Sequence, residues 1–313
     1  MIKKKKAKNN ELMKQINFMK LIPLYFSISG AAMAIGIFSL IVWRVQPAID
    51  FVGGSLVEVE LQDQEGNTVN EGAIRSALFD KEIEANSIQP AGEKRWLIRS
   101  KMSENIDKYV QSALAEKFSR VEVTRFESIG PALGKELLSK TFFGITLSSL
   151  GILLYVAHRF GGGKYGVCAV LAMIHDSLVV LGAFSLLGHF HGAEIDALFV
   201  TALLTVLSFS VHDTIVVYDR IRENLRKFPQ EKFEPLANRS VNETMKRSIN
   251  NSLTIIIMLV ILTLLGGATV KYFSLALLTG TITGTYSSPF VAVTLLVVWN
   301  RLEERNKKSK NRN

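Results

Sequence analysis

Residues 197–224 read ALFVTALLTVLSFSVHDTIVVYDRIREN, and the first part of this stretch decides the fold. From 197 to 217 the only charged side chain is Asp213, and the run is long enough to cross a hydrocarbon layer of about 30 Å. Five other stretches have the same character: 21–43, 141–158, 166–188, 253–270 and 272–299. The 313 residues carry 37 Lys and Arg and 28 Asp and Glu, yet only Asp176 and Asp213 fall inside these six spans. Even placement would put about 27 charges there. The 48% apolar content and mean hydropathy of +0.22 are therefore concentrated in membrane spans. A water-soluble enzyme built on one core is excluded. The +9 net charge does not mean nucleic-acid binding, because the basic residues mark topology.

Counting Lys and Arg in short loops orients the spans. Lys3 to Lys20, the 159–165 loop, the 218–252 loop and the tail from Arg301 fall on one side and hold 23 basic residues. The short loops at 189–196 and 271 hold one, Lys271. The sequence thus predicts a multi-pass protein of the cell membrane with both termini cytoplasmic. Its parts are a basic N-terminus (1–20), a first helix (21–43), an external segment (44–140), helices two to six (141–299) and a basic tail (300–313). The first apolar run is 23 residues long, beyond a 7–15-residue signal-peptide core, and reads as an uncleaved anchor. Cys168 is the single cysteine, so no disulfide framework exists.

The external segment carries 13 basic and 16 acidic residues and has the pattern of a small folded domain. Ser55 to Leu61 alternates as a half-buried strand. Residues 69–83 and 103–118 have helical periodicity, and Trp96–Ile98 and Val121–Phe126 read as strands. The order β-α-β-α-β predicts an α+β ferredoxin-like sandwich. No Cys or His occurs in 44–140, so metal chemistry is not expected there. The chain also lacks a phosphate-binding G-x-x-x-x-G-K-[ST] loop, H-E-x-x-H and G-x-S-x-G. It is read as a non-enzyme without cofactor or metal, powered by a partner or an ion gradient.

Polar residues at membrane depth are costly and face a bundle interior or a wet cavity. Thr201, Thr205, Ser208, His212 and Asp219 share one line of the fourth span, with Asp213 roughly 100° round and Ser210 on a third face. Such a helix belongs at the centre of a bundle or against another protein. Asp213 is open to two readings, a neutral structural residue or an acid that loads and releases a proton or Na⁺. His212 is equally a relay or a histidine bonded to a carbonyl. His175 and Asp176 in the third span diverge by about 100° and are not expected to pair with each other. Ser240-Val-Asn-Glu243 resembles a capping box that starts a helix at the cytoplasmic surface. Beyond it Arg247, Asn251 and Thr254 share a face, and Arg247 is a candidate cation for Asp213 or a snorkelling anchor. Gly280, Gly284 and Ser288 form a small-residue face for helix packing.

These motifs, in order, resemble the SecF family of the SecD–SecF export complex, within the RND superfamily. Ile49-Asp50-Phe-Val-Gly53-Gly54 is similar to its I-D-F-x-G-G, and Ile129-Gly-Pro-Ala-Leu-Gly134 to its V-G-P-x-x-G. His175-Asp176, Ser210-Val-His212-Asp213-Thr214, Asp219-Arg220-Ile-Arg-Glu-Asn224 and Gly284-Thr-Tyr-Ser-Ser288 complete the set. The resemblance implies proton- or Na⁺-driven pulling of a preprotein at the SecYEG channel, together with a SecD-like six-span subunit. It implies that Asp213 and Arg247 are the coupling residues. His212 departs from the family's usual Asn. The rival readings are an RND-type half-transporter of lipids or small molecules and a non-transporting scaffold of the Sec channel.

Overall fold

The computed structural model describes residues 16–63, 68–92, 94–103 and 105–310; the basic residues Lys3 to Lys14 and Arg312 lie outside them. Among the described residues, six helices are long and apolar enough to cross a membrane. A 3₁₀ turn, Phe18–Leu21, leads into α1 (Ile22–Val42), and a short α2 (Ile49–Val52) follows. Next come β1 (Gly54–Gln62), α3 (Glu71–Phe79), β2 (Ala85–Pro90), β3 (Arg95–Ser100), α4 (Ile106–Ala115) and β4 (Arg120–Ile129). The other long helices are α5 (Pro131–Phe160), α6 (Gly163–His191), α7 (Ala197–Lys227) and α8 (Phe233–Leu265). The last begins as α9 (Ala268–Ser287), passes through a π turn at Ser288–Ala292, and ends as α10 (Val293–Lys310).

Several boundaries differ from those the sequence predicts, each for a physical reason. Helix α5 starts at Pro131 rather than at 141, because hydropathy marks only the apolar part of a helix. Pro131 occupies the first turn, where a missing N–H costs nothing. The fifth span ends at Leu265 rather than 270; Gly266 and Gly267 break the chain inside an apolar window that hydropathy reads straight through. Helix α8 begins at Phe233, so Ser240 is not a cap. Its hydroxyl donates to the Leu236 carbonyl at 2.8 Å, one turn back in the same helix.

The small unit contains four strands, not three. They form one antiparallel sheet in the order β2-β3-β1-β4. Strand β2 went unseen because it is an edge strand in which only Ile88 is fully buried, leaving almost no period-two signal. One sheet face packs Val57, Val59, Leu61 and Ile98 against Ile74, Leu78, Val110 and Leu114 of α3 and α4. Strand β1 was expected to be half-buried, yet Leu56 and Glu58 on its other face are buried too. That second face lines a cavity together with Leu97, Arg99, Arg125 and Glu127.

Helix packing in the membrane bundle depends on absent side chains. A Cβ built on Gly182 of α6 would stand 2.4 Å from Gly36 Cα of α1, so that crossing requires glycine at 182. Beside it Ser39 donates to Ser185 at 2.8 Å. On α9 a Cβ at Gly280 would meet Val206 Cγ2 of α7 at 2.1 Å, and one at Gly284 would meet Ser210 Cα at 3.4 Å. The small-residue face expected from the sequence therefore lies on α7. Valine is stiff about χ1 and cannot swing away. Gly280→Ala is expected to destabilise the protein in detergent by about 1–3 kcal/mol, the usual cost of overpacking. Adding Val206→Ala should recover part of that loss. A thermal unfolding series with additive single and double variants would disprove this contact.

Candidate functional site

The acids and hydroxyls of α6, α7, α8 and α9 assemble in two adjoining layers. Asp213 on α7 is half-buried and accepts a short hydrogen bond from the Ser248 hydroxyl of α8. It borders a cavity of about 320 Å³ between α7, α8 and α9, lined by Ser210, His212, Asn251, Ser252, Thr254, Thr281, Gly284 and Thr285 among others. Thr285 donates to Ser252 across it at 2.6 Å. Its wall carries hydroxyls, an amide and an imidazole besides the carboxylate.

Arg247 does not reach Asp213. It is exposed and forms no ion pair among the described residues, while its neighbour Ser248 takes the carboxylate. The shared face of Arg247, Asn251 and Thr254 still matters, because the last two line the cavity and Arg247 sits one turn before Asn251. His212 lines the same cavity and is otherwise exposed. Thr201 and Ser208, which share its line on α7, are exposed as well, so that polar stripe is left uncovered by this chain.

The second layer is fully enclosed. Asp176 Oδ2 accepts from Ser210 at 2.6 Å and from Ser287 at 2.7 Å, and its Oδ1 lies 2.9 Å from His175 Nδ1. The expectation that His175 and Asp176 do not pair is overturned. Their Cβ bonds diverge, but ring and carboxylate each turn back about their own torsions to meet. Thr214 lies 3.0 Å from Ser288, whose hydroxyl also donates to the Ser210 carbonyl at 3.1 Å. The π turn begins at this serine, and such turns are common where a helix presents a functional group.

The end residues of the motifs hold helices rather than ions. Asp219 lies 3.4 Å from Arg159 of α5. Arg220 donates to Glu243 and to Glu223, both at 2.6 Å, joining α7 to α8. Asp50 accepts from the Ala197 N–H at 2.7 Å and so caps α7 alongside Asp196, which accepts from Phe199 N–H at the same distance. Gly53, at φ +77°, would place a Cβ 2.8 Å from Pro131, and Gly54 opens β1 at φ +133°. The cap role of Asp50 has no signal in sequence, because its partner lies far along the chain.

Around Asp50 the sheet is tied to the loop between α6 and α7. Ala48 N–H donates to the Ile195 carbonyl and Ile195 N–H to the Gln46 carbonyl, both at 2.8 Å. Arg99 of β3 lies 2.7 Å from Glu194. Burial pushes the Glu194 carboxyl up to about 7, against the pull of Arg99 and with the push of Asp196 and Asp50. Burial likewise lowers Arg99, although Glu194, Asp196 and Tyr272 oppose it. Both members thus move against the sense of an ion pair, so desolvation outweighs their attraction.

Six apolar crossings, an acid beside a cavity and an enclosed acid behind it define a polytopic membrane protein. The family described as protein export membrane protein SecD/SecF, C-terminal, matches residues 109–302. Protein translocase subunit SecF of Thermobaculum terrenum is 40% identical, covering 84% of this chain and 87% of that one. SecF of Anaerolinea thermophila is also 40% identical, over 90% and 94% of the two chains. The crystal structure of SecDF from Thermus thermophilus, a translocon-associated membrane protein, superposes with a TM-score of 0.82 at 31% identity. That match covers 92% of this chain and 39% of the larger one, so the chain spans about two-fifths of the fused protein. The chain belongs to the SecF family of protein translocase subunits.

The raised Glu194 value has a sign. A carboxyl that holds its proton more tightly docked than free favours docking below its ordinary value near 4.5, and that contribution is lost as pH rises through about 7. Hydrogen-exchange protection of the Ala48, Ile195 and Ala197 amides should therefore fall between about pH 6 and pH 8, after correction for intrinsic exchange. In Glu194→Gln the same protection should be flat over that range. An equal slope in parent and variant would show that Glu194 does not link docking to pH.

Proposed function

We propose that this chain couples the flow of protons, or of Na⁺, to export of preproteins across the cytoplasmic membrane, as one half of a two-subunit machine. The observation that carries the reading is Asp213: an acid at membrane depth, beside a cavity, held by a neutral hydroxyl rather than a fixed cation. Such an acid can take up and release a cation, whereas one locked to arginine cannot. Arg247 is about 100° round α8 from Ser248. A turn of α8 exchanges the hydroxyl for the guanidinium and expels the bound cation. His212 borders the path.

The partner is a SecD-like six-span subunit. The uncovered stripe of Thr201, Ser208 and His212 on a membrane helix supports this, since polar groups facing lipid are costly. SecDF of Bacillus subtilis matches 89% of this chain with only 37% of its own length, so in that relative a second part of greater length is fused. The sheet unit lies on the external face and both termini in the cytoplasm, as the basic loops imply. Its β-α-β-β-α-β order and β2-β3-β1-β4 sheet support the ferredoxin-like reading. SecYEG and the emerging preprotein are its further partners.

One charge crossing 100 mV supplies about 2.3 kcal/mol, a bias of roughly 40-fold between forward and return steps. Asp213→Asn, reconstituted with the SecD-like subunit and SecYEG, is expected to lose the gradient-dependent part of preprotein export, at most about that factor, while assembly persists. Arg247→Lys should lower it as well, because an ammonium lacks the guanidinium's forked donors. Parental export in Asp213→Asn would leave a scaffold of the channel as the reading.

A further inference from the structure

Asp176 is the most enclosed acid of the bundle, and the coupling scheme through Asp213 does not use it. It is 0% exposed, and His175 beside it is 5% exposed. Ser210 and Ser287 both donate to Oδ2, and Nδ1 of His175 lies 2.9 Å from Oδ1. The other ring nitrogen, Nε2, is buried without a hydrogen-bond partner among the described residues. Ser210 has a second address: it also lines the cavity that holds Asp213. A single hydroxyl therefore stands between the two intramembrane acids.

We propose that Asp176 and His175 form a second proton-holding station, which exchanges protons with the Asp213 cavity through the Ser210 hydroxyl. The proposal rests on the reading of Asp213 as an ion-coupling acid and extends its path inward. A carboxylate that only pins helices together is served by the two serines. The imidazole with an unpartnered nitrogen adds a proton site that pinning does not need.

The transfer balances. Ser210 gives its hydroxyl proton to Asp176 Oδ2 and accepts another on the same oxygen from the cavity side. The net result is one proton moved from the cavity to the dyad, and the reverse step returns it. His175 is the titratable side chain that touches Asp176 directly; Asp213 and His212 face it from across Ser210. A proton suits the station better than Na⁺, because the nitrogen on one side of the carboxylate takes a place where a hard cation needs oxygen.

The test uses the full chain co-reconstituted with its SecD-like subunit in proteoliposomes, with proton flux read by an enclosed pH-sensitive dye. Asp176→Asn keeps the size of the side chain and one acceptor oxygen for the serines but cannot carry the proton. Ser210→Ala removes the connecting hydroxyl, and Ser210→Thr retains one. Asp176→Asn and Ser210→Ala should lower gradient-driven flux by about tenfold or more, the scale of a lost proton-transfer group, in protein that still co-purifies with the partner subunit. Ser210→Thr should recover most of the flux. Parental flux in assembled Asp176→Asn overturns the proposal. Where Asp176→Asn does not assemble, the Ser210 variants decide, and equal flux in Ser210→Ala, Ser210→Thr and the parent overturns it too. Asp213→Asn is measured alongside: parental flux there removes the coupling reading itself, whereas its loss beside parental flux in Ser210→Ala removes only the second station.

Discussion

A charged or polar group inside hydrocarbon has no water to fall back on, so the helices around it must supply its partners. Asp176 imposes that condition on the middle of this bundle. Its two oxygens are met by side chains of α6, α7 and α9, which fixes how these three helices are rotated about their axes. Fixing the rotation in turn sets which residues of α7 face α9, and that face must be small for the hydrogen bonds to close. Gly280 and Gly284 provide the clearance against Val206 and Ser210. The polar hub and the glycine face are thus two aspects of one close approach. Between helices in lipid the hydrophobic effect gives no selective attraction, so packing and hydrogen bonds of this kind determine the arrangement.

The same economy governs the membrane surface. Asp50 caps α7 although it lies just beyond α1, and Gly53 lets the chain turn beneath the sheet with Pro131 of α5 close against it. Gly134, one turn into α5, would place a Cβ 2.7 Å from the Phe51 carbonyl. The two glycine motifs are therefore two sides of one crossing, and the sheet unit leaves and re-enters the bundle at a single point. The sheet unit is thus held to the bundle at its base and, through Arg99 and Glu194, at its side.

The crossings were legible in sequence because charge avoidance over some twenty residues is a strong and local signal. The positions of Asp213, Asn251 and Thr254 around one cavity were also legible, since helical periodicity places residues on a face. What periodicity does not give is the rotation of one helix against another. That rotation decides that Ser248 rather than Arg247 meets Asp213. Nor does it give side-chain torsions, which bring His175 and Asp176 together despite their diverging Cβ bonds. Strand β2 was missed for a related reason: an edge strand with one buried residue, Ile88, carries no alternation to read. The Gly36–Gly182 crossing has no clear signal in sequence, because no second glycine stands four residues from either one.

The two layers of acid have opposite surroundings, and that contrast bears on how a gradient could do work. Asp176 is closed off by hydroxyls of its own chain, whereas Asp213 opens to a cavity whose wall includes the exposed His212. The two acids therefore present one enclosed and one open environment side by side. The open side coincides with the polar stripe of α7 that this chain does not cover. Whatever seals that stripe from lipid also borders the route to Asp213. The uncovered polar stripe and the wall of the Asp213 cavity are consequently one region of α7, sharing His212.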